Sequence, residues 1–168
     1  MPWWEASIHG LPVDMAHHHD RYLYPQDETG QMLIDTSAFI ALLHRQDQYH
    51  QAAVRYWQTH RGSPRVTSIF IIQEPYILLR YRAGTKLTSS FLEAIEESTK
   101  TGLQRVLWGE SDWTPRIPAI LAQYADQDLS YTDAISLLIC RDIATVTRVF
   151  AFDHHLGLTG LPVEPYEL

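Results

Sequence analysis

Four carboxylates stand where this sequence has least reason to place them. Asp35 ends the apolar run at the start of "MLIDTSAFIALL", residues 32–43, with Thr36 and Ser37 directly behind it. Glu74 interrupts "IFIIQEPYILL", Asp133 lies in "LSYTDAISLL", and Asp153 closes "VFAFD". A charge buried beside such segments is costly unless something pairs with it. Each acid also has a modest explanation. Asp35 suits the N-cap of a helix that begins near Ser37. Asp133 follows Ser130 by three residues, the spacing of a capping box. Asp153 could open the turn before His154, and Glu74 could lie on an exposed stripe. Taken together the four are harder to dismiss, because a doubly wound sheet would bring all of them to one rim, the carboxyl ends of its strands, where such sheets bind ligands.

The elements that must position them are legible as alternating apolar segments. "MLIDT" reads as a buried strand and "SAFIALLHRQD" as a helix. "QYHQAAVRYWQTH" reads as a second helix, with Ala52, Ala53, Tyr56 and Trp57 on one face. Gly62-Ser63-Pro64 breaks the chain before the short strand "RVTS". "IFIIQEPYILLRYR" is apolar and helical, and Ala83-Gly84 closes it. A helix "SSFLEAIEEST" and a strand "LQRVLWG" follow. The next helix, "SDWTPRIPAILAQYADQ", starts with Asp112 and Pro115 as helix starts do. "SYTDAISLLICRDI" is the last long helix, "ATVTRVFAFD" a β-branched strand, and "LPVEPYEL" can add one short strand. Helices alternating with buried strands imply an α/β fold, a parallel sheet covered on both faces.

Composition narrows the partners. The chain has 168 residues, 45% of them apolar, which suffices for one domain with a real core. Lys and Arg number 13 against 20 Asp and Glu, a net charge of −7. That balance argues against binding nucleic acid by bulk electrostatics. Residues 1–30 hold five acids (Glu5, Asp14, Asp20, Asp27, Glu28) and one base, Arg21, so −4 of the charge lies there and −3 in the remainder. Residues 1–31 mix Pro, Gly and His with aromatics and keep no period, so they read as an N-terminal arm, anchored by Trp3, Trp4, Tyr22 and Tyr24; the domain spans 32–168. His17, His18 and His19 cannot all point one way and read as a solvated stretch. The single cysteine, Cys140, excludes an internal disulfide and sits among apolar neighbours as a small core residue. No stretch is long enough for a membrane span, and the N-terminus lacks the pattern of a signal peptide, so the expected location is the cytoplasm.

"MLIDTSAFIALL", "IIQEPYILLRYRAG", "LSYTDAISLLIC" and "VFAFDHHLGLTG" together resemble the four signature segments of PIN-domain nucleases, especially VapC-type toxins of toxin–antitoxin pairs. The resemblance runs from about Met32 to Leu161, and the four segments are specific in their order where none is specific alone. It implies a three-layer α/β/α sandwich around a mainly parallel sheet. It also implies an acidic site at Asp35, Glu74, Asp133 and Asp153, supported by the hydroxyls of Ser37 and Thr132. Leu156 stands where the family often has Phe, and Pro75 directly follows the helical glutamate and removes a backbone donor. The implied activity is metal-dependent cleavage of RNA. The implied partners are an RNA substrate, a small antitoxin and a second copy of the chain. Four carboxylates crowded together repel unless cations hold them. An all-oxygen ligand set favours Mg²⁺ or Mn²⁺ over zinc. A PIN-like module that binds RNA or protein without cutting is the alternative, and the presence of all four acids speaks against it.

Four further expectations concern the surface. Arg80, Arg82 and Lys86 could hold RNA phosphates, or simply be a solvated helix end favoured by the helix dipole. His154 and His155 could contact a phosphate or take part in proton transfer. Trp57, Trp108 and Trp113 are expected in the core rather than as base-stacking platforms. The apolar helices over 38–43 and 69–82 are expected to meet a dimer partner, since a monomer would leave a large apolar patch open.

Overall fold

Met32, Leu33 and Ile34 are consecutive and each is fully buried. Successive side chains of a strand point to opposite faces, so this strand is covered on both sides. It is β1 (Gln31–Ile34), the central strand in the computed structural model of the chain, which describes residues 30–109 and 112–165. The arm, up to residue 29, lies outside the described residues, and with it the anchoring roles expected for Trp3, Trp4, Tyr22 and Tyr24. Gln31 belongs to β1 rather than to the arm.

The chain continues through α1 (Thr36–Leu43), α2 (His50–Thr59), β2 (Arg65–Ser68), α3 (Ile69–Arg82), α4 (Thr85–Lys100), β3 (Gln104–Leu107), α5 (Trp113–Gln123), α6 (Tyr131–Asp142) and β4 (Val146–Phe150). A 3₁₀ helix (His154–Thr159) then leads to β5 (Val163–Glu164). The five strands lie in the order β3-β2-β1-β4-β5, every pair parallel. The order reverses direction between β1 and β4, and that switch point is where an open α/β sheet leaves a crevice. β1 and β4 meet in register, Leu33 opposite Val149 and Ile34 opposite Phe150. Helices cover both faces of the sheet, giving the three-layer sandwich. On one face Tyr56 of α2 closes over Met32 and Phe150, its hydroxyl 3.3 Å from the Met32 sulfur.

Two helix boundaries carry the site. β1 ends into α1 through Asp35, whose extended backbone and side chain cap the helix. β2 runs into α3 without a linker, Ser68 capping with its hydroxyl 3.2 Å from the Ile71 amide. Pro75 lies inside α3, buried, and the helix continues past it to Arg82. Its missing N–H leaves the Ile71 carbonyl without the usual donor four residues on. The Thr36 hydroxyl donates to that carbonyl instead, at 3.4 Å. The proline therefore joins α3 to the first turn of α1.

The tryptophans divide. Trp113 is buried, its indole N–H donating to Asp142 at 3.1 Å, and Trp57 is half-buried under the Arg65 guanidinium. Trp108 corrects the expectation of a core residue: it is 77% exposed, because β3 ends at Leu107 and the chain turns outward through Gly109 at φ +103°. Cys140 is half-buried, and burial foremost pushes its thiol up to about 12, so it packs and does not react. No helix among the described residues is long and apolar enough to cross a membrane.

Candidate active site

Asp35 is 2% exposed, a carboxylate at the end of the central strand with almost no water. Hydrogen bonds to both oxygens replace that water. Oδ2 accepts from the Ser37 amide at 3.0 Å and the Ser37 hydroxyl at 2.9 Å, while Oδ1 accepts from the Ser136 hydroxyl at 3.2 Å. The Ser37 hydroxyl in turn accepts from the Phe152 amide at 2.9 Å, tying the end of β1 to the loop after β4. Burial still dominates and pushes the Asp35 carboxyl up to about 6, with the negative charge of Asp133 adding to the rise. The Ser37 and Ser136 hydrogen bonds oppose it. Asp35 and Asp133, nearly 100 residues apart, thus face each other closely enough for their charges to interact.

Asp133 sits in the first turn of α6 and is half-buried. The capping box read from its spacing is present: Asp133 Oδ2 accepts from the Ser130 amide at 2.7 Å, and Ser130 Oγ accepts from the Asp133 amide at 3.1 Å. Capping occupies one carboxylate oxygen. Among the described residues no donor reaches the other. The helical and the chemical readings of Asp133 are therefore compatible, and the same holds for Asp35 at α1. Helix N-termini carry partial positive charge, so α1 and α6 both steady the acids gathered at this rim.

Glu74 is exposed on α3 and joins the group through Thr132, whose hydroxyl donates to Glu74 Oε1 at 2.6 Å. Thr132 and Asp133 are adjacent, so the expected supporting hydroxyl does connect two of the four acids. Ser37 connects a third to the fourth, since its partner Phe152 adjoins Asp153. Asp153 lies three residues beyond β4 rather than at its end, and caps the 3₁₀ helix through the His155 amide at 2.9 Å. The Nδ1 atoms of His155 and His154 lie 3.1 and 3.6 Å from the same Asp153 oxygen. Asp153, His154 and His155 are the one group of three acid, His or Cys side chains among the described residues whose ligand atoms lie within 4.8 Å of one another. The four acids are instead related in pairs, Glu74 to the neighbour of Asp133 through Thr132, and Asp35 to the neighbour of Asp153 through Ser37.

Ser136 and the Phe152 amide were not among the residues picked from sequence, yet both hold the Asp35–Ser37 unit. Arg82 and Lys86 lie elsewhere. They line a groove of about 520 Å³ with Ile40, Leu43, Pro75 and Leu79, along the second half of α3. Arg82 is eight residues, about 12 Å of helix, from Glu74.

Residues 32–157 match the family model of the PIN domain. The structure is similar to a crystal structure of VapC20 of Mycobacterium tuberculosis, a toxin that cleaves the sarcin–ricin loop. That match has a TM-score of 0.67 and 26% sequence identity, and covers 78% of this chain and 96% of that one. No curated protein matches the chain in sequence.

Proposed function

This chain belongs to the PIN-domain family, in its VapC-type branch, and from that premise we propose that it is a divalent-cation-dependent endoribonuclease, the toxin of a toxin–antitoxin pair. The observation that carries the reading is Asp35: a nearly inaccessible carboxylate, fixed through both oxygens, facing the charge of Asp133 at the switch point of the sheet. As a structural element alone it opposes folding at neutral pH. As half of a cation site it is pre-organised.

The donor set fits a hard divalent ion. Asp35 and Asp133 would hold it, with Glu74 and Asp153 completing the acidic rim, and all of these offer oxygen, as Mg²⁺ and Mn²⁺ require. When bound, such an ion supplies Lewis acidity toward the phosphodiester and lowers the pKa of a water. The chain does the rest. Ser37 and Ser136 fix the Asp35 carboxylate in one orientation, and the Phe152 amide fixes Ser37. Thr132 holds Glu74 toward the rim. Asp133 keeps one oxygen in its cap and presents the other. His155, half-buried beside Asp153, would donate to a phosphate oxygen. An RNA substrate, an antitoxin partner, a two-fold dimer and a cytoplasmic location belong to the same proposal.

Cleavage of a short ribosomal RNA stem–loop, the substrate type of the M. tuberculosis relative, tests the reading. We expect cutting with Mg²⁺ or Mn²⁺, none with EDTA, and a loss of roughly a hundredfold or more in Asp133→Asn, at about 1.36 kcal/mol per tenfold. Asparagine keeps the cap, so the fold should be retained. Cutting that survives EDTA would leave the non-cleaving or differently acting module as the better account.

A further inference from the structure

The carboxyl edge of the sheet carries a second feature that the acids do not use. Trp108 follows β3 and is 77% exposed; Tyr131 opens α6 and is 44% exposed. Phe70, in the first turn of α3, lies between them. Its ring meets that of Tyr131 at a centroid distance of 5.9 Å and a tilt of 57°. Gly109 also approaches this ring so closely that an added Cβ would lie 3.1 Å from it. The end of β3 and the first turns of α3 and α6 thus bring Trp108-Gly109, Phe70 and Tyr131 together as an aromatic strip.

The strip ends at the candidate site. Tyr131 is followed directly by Thr132, which holds Glu74, and by Asp133. β3 is two strands from β1, so Trp108 stands about 10 Å to the side of Asp35 along the same rim. Tryptophan gains more than most residues from burial, and no described ring stacks on this indole.

Charge says what the strip is for. A substrate that brings phosphates to four carboxylates, on a chain of net charge −7, gains little from bulk electrostatics. Arg82 lies about 12 Å of helix from Glu74, beside a groove that it lines with Lys86. Uncharged contacts can add affinity beside the acids, since unpaired bases offer flat π-faces to aromatic side chains. We propose that Trp108 and Tyr131 form a stacking platform that receives unpaired nucleobases flanking the scissile phosphate. This rests on the nuclease reading above and adds to it two named contact residues, Trp108 and Tyr131, on the β3 side of the cut.

The test is steady-state cleavage of a short unpaired RNA by the full chain with Mn²⁺. Trp108→Ala should raise KM about tenfold while kcat stays near wild type, in keeping with one lost stacking contact. Trp108→Phe should restore most of it, Trp108→Leu should not, and Tyr131→Ala should raise KM with an unchanged melting temperature. RNA added in EDTA should quench the tryptophan fluorescence of the wild type and quench that of Trp108→Phe less. An unchanged KM in Trp108→Ala, or rescue by leucine as good as by phenylalanine, overturns the platform while cleavage by the wild type keeps the nuclease reading. Trp108→Ala that splits a dimer in light scattering without changing KM also overturns it, by naming a second copy as the occupant. A wild type that cuts no RNA overturns both.

Discussion

Two buried ionisable side chains sit at opposite ends of one sheet. Asp35 follows β1 at the carboxyl edge, and Arg65 opens β2 at the amino edge, 1% exposed. Burial disfavours both charges: it pushes Asp35 up to about 6 and Arg65 down to about 10. Their surroundings differ. Asp35 is held by a serine at each oxygen and faces another acid. Arg65 lies flat on Trp57, its guanidinium carbon 4.1 Å from the ring centroid, and donates Nη2 to the Arg61 carbonyl at 3.0 Å. Its Nε and Nη1 have no partner among the described residues. The arginine is accommodated by packing and a cation–π contact, which offset its desolvation inside the fold. The acid is oriented and still left with a like charge before it. Arg65 has a ring to lie on; Asp35, oriented by two serines, has a like charge nearby, which is what the proposed cation site needs.

Neutralising each in turn should separate them. The largest effect is expected on activity. On the proposed reading, in which Asp35 holds a cation, Asp35→Asn should lower RNA cleavage roughly a thousandfold, about 4 kcal/mol. Arg65→Met should change it less than about twofold, since the amino edge is remote from the rim; a large loss there would break the comparison.

The next effect is on stability against pH. A carboxyl at about 6 in the folded chain, against 3.8 when exposed, binds its proton more tightly folded than unfolded. Its contribution is fully present below about pH 4 and is lost as pH rises through 6, at a cost of about 3 kcal/mol at neutral pH. Urea unfolding of the wild type should therefore show a fall in stability between pH 4 and 7 that Asp35→Asn lacks, and the variant should be the more stable at pH 7. Parallel curves for the two chains would show that Asp35 is not so strained. The smallest effect is Arg65→Met, expected to alter unfolding free energy by no more than about 1 kcal/mol, because relief of desolvation offsets the lost ring contact. A loss of 3 kcal/mol or more would show the arginine to be a true keystone of the amino edge.

The strands and helices were readable because a parallel sheet buried on both faces writes itself as continuous apolar runs. Boundaries were less so. The apolar pattern of "SAFIALLHRQD" runs into polar residues that remain helix formers, yet α1 stops at Leu43, where His44 turns extended and Asp47 takes the Tyr49 amide at 2.8 Å. The helix over "SSFLEAIEEST" begins four residues earlier, because Gly84 at φ +81° lets the chain turn straight from α3 into α4. The β-branched stretch from Ala144 invited a strand up to Asp153, but β4 pairs only over Val146–Phe150. Within the site, Ser136 had a signal: it is the sole hydroxyl in "AISLLI" and lies one helical turn from Asp133 on the same face. The bond from the Phe152 amide to Ser37 had none, since it spans 115 residues and depends on the sheet order. Trp108 misled because residue type does not distinguish a core tryptophan from one turned outward by a following glycine.

That long bond also sets a timetable for synthesis. β1, β2 and β3 can pair once about residue 107 has emerged from the ribosome, but β1 still lacks β4, and Ser37 lacks the amide that steadies it. Closing a loop of this length is slow and comes late. The acidic rim is therefore incomplete on every nascent chain that has not yet released Phe152 and Asp153. The site is thus assembled only as translation of the chain draws to its end.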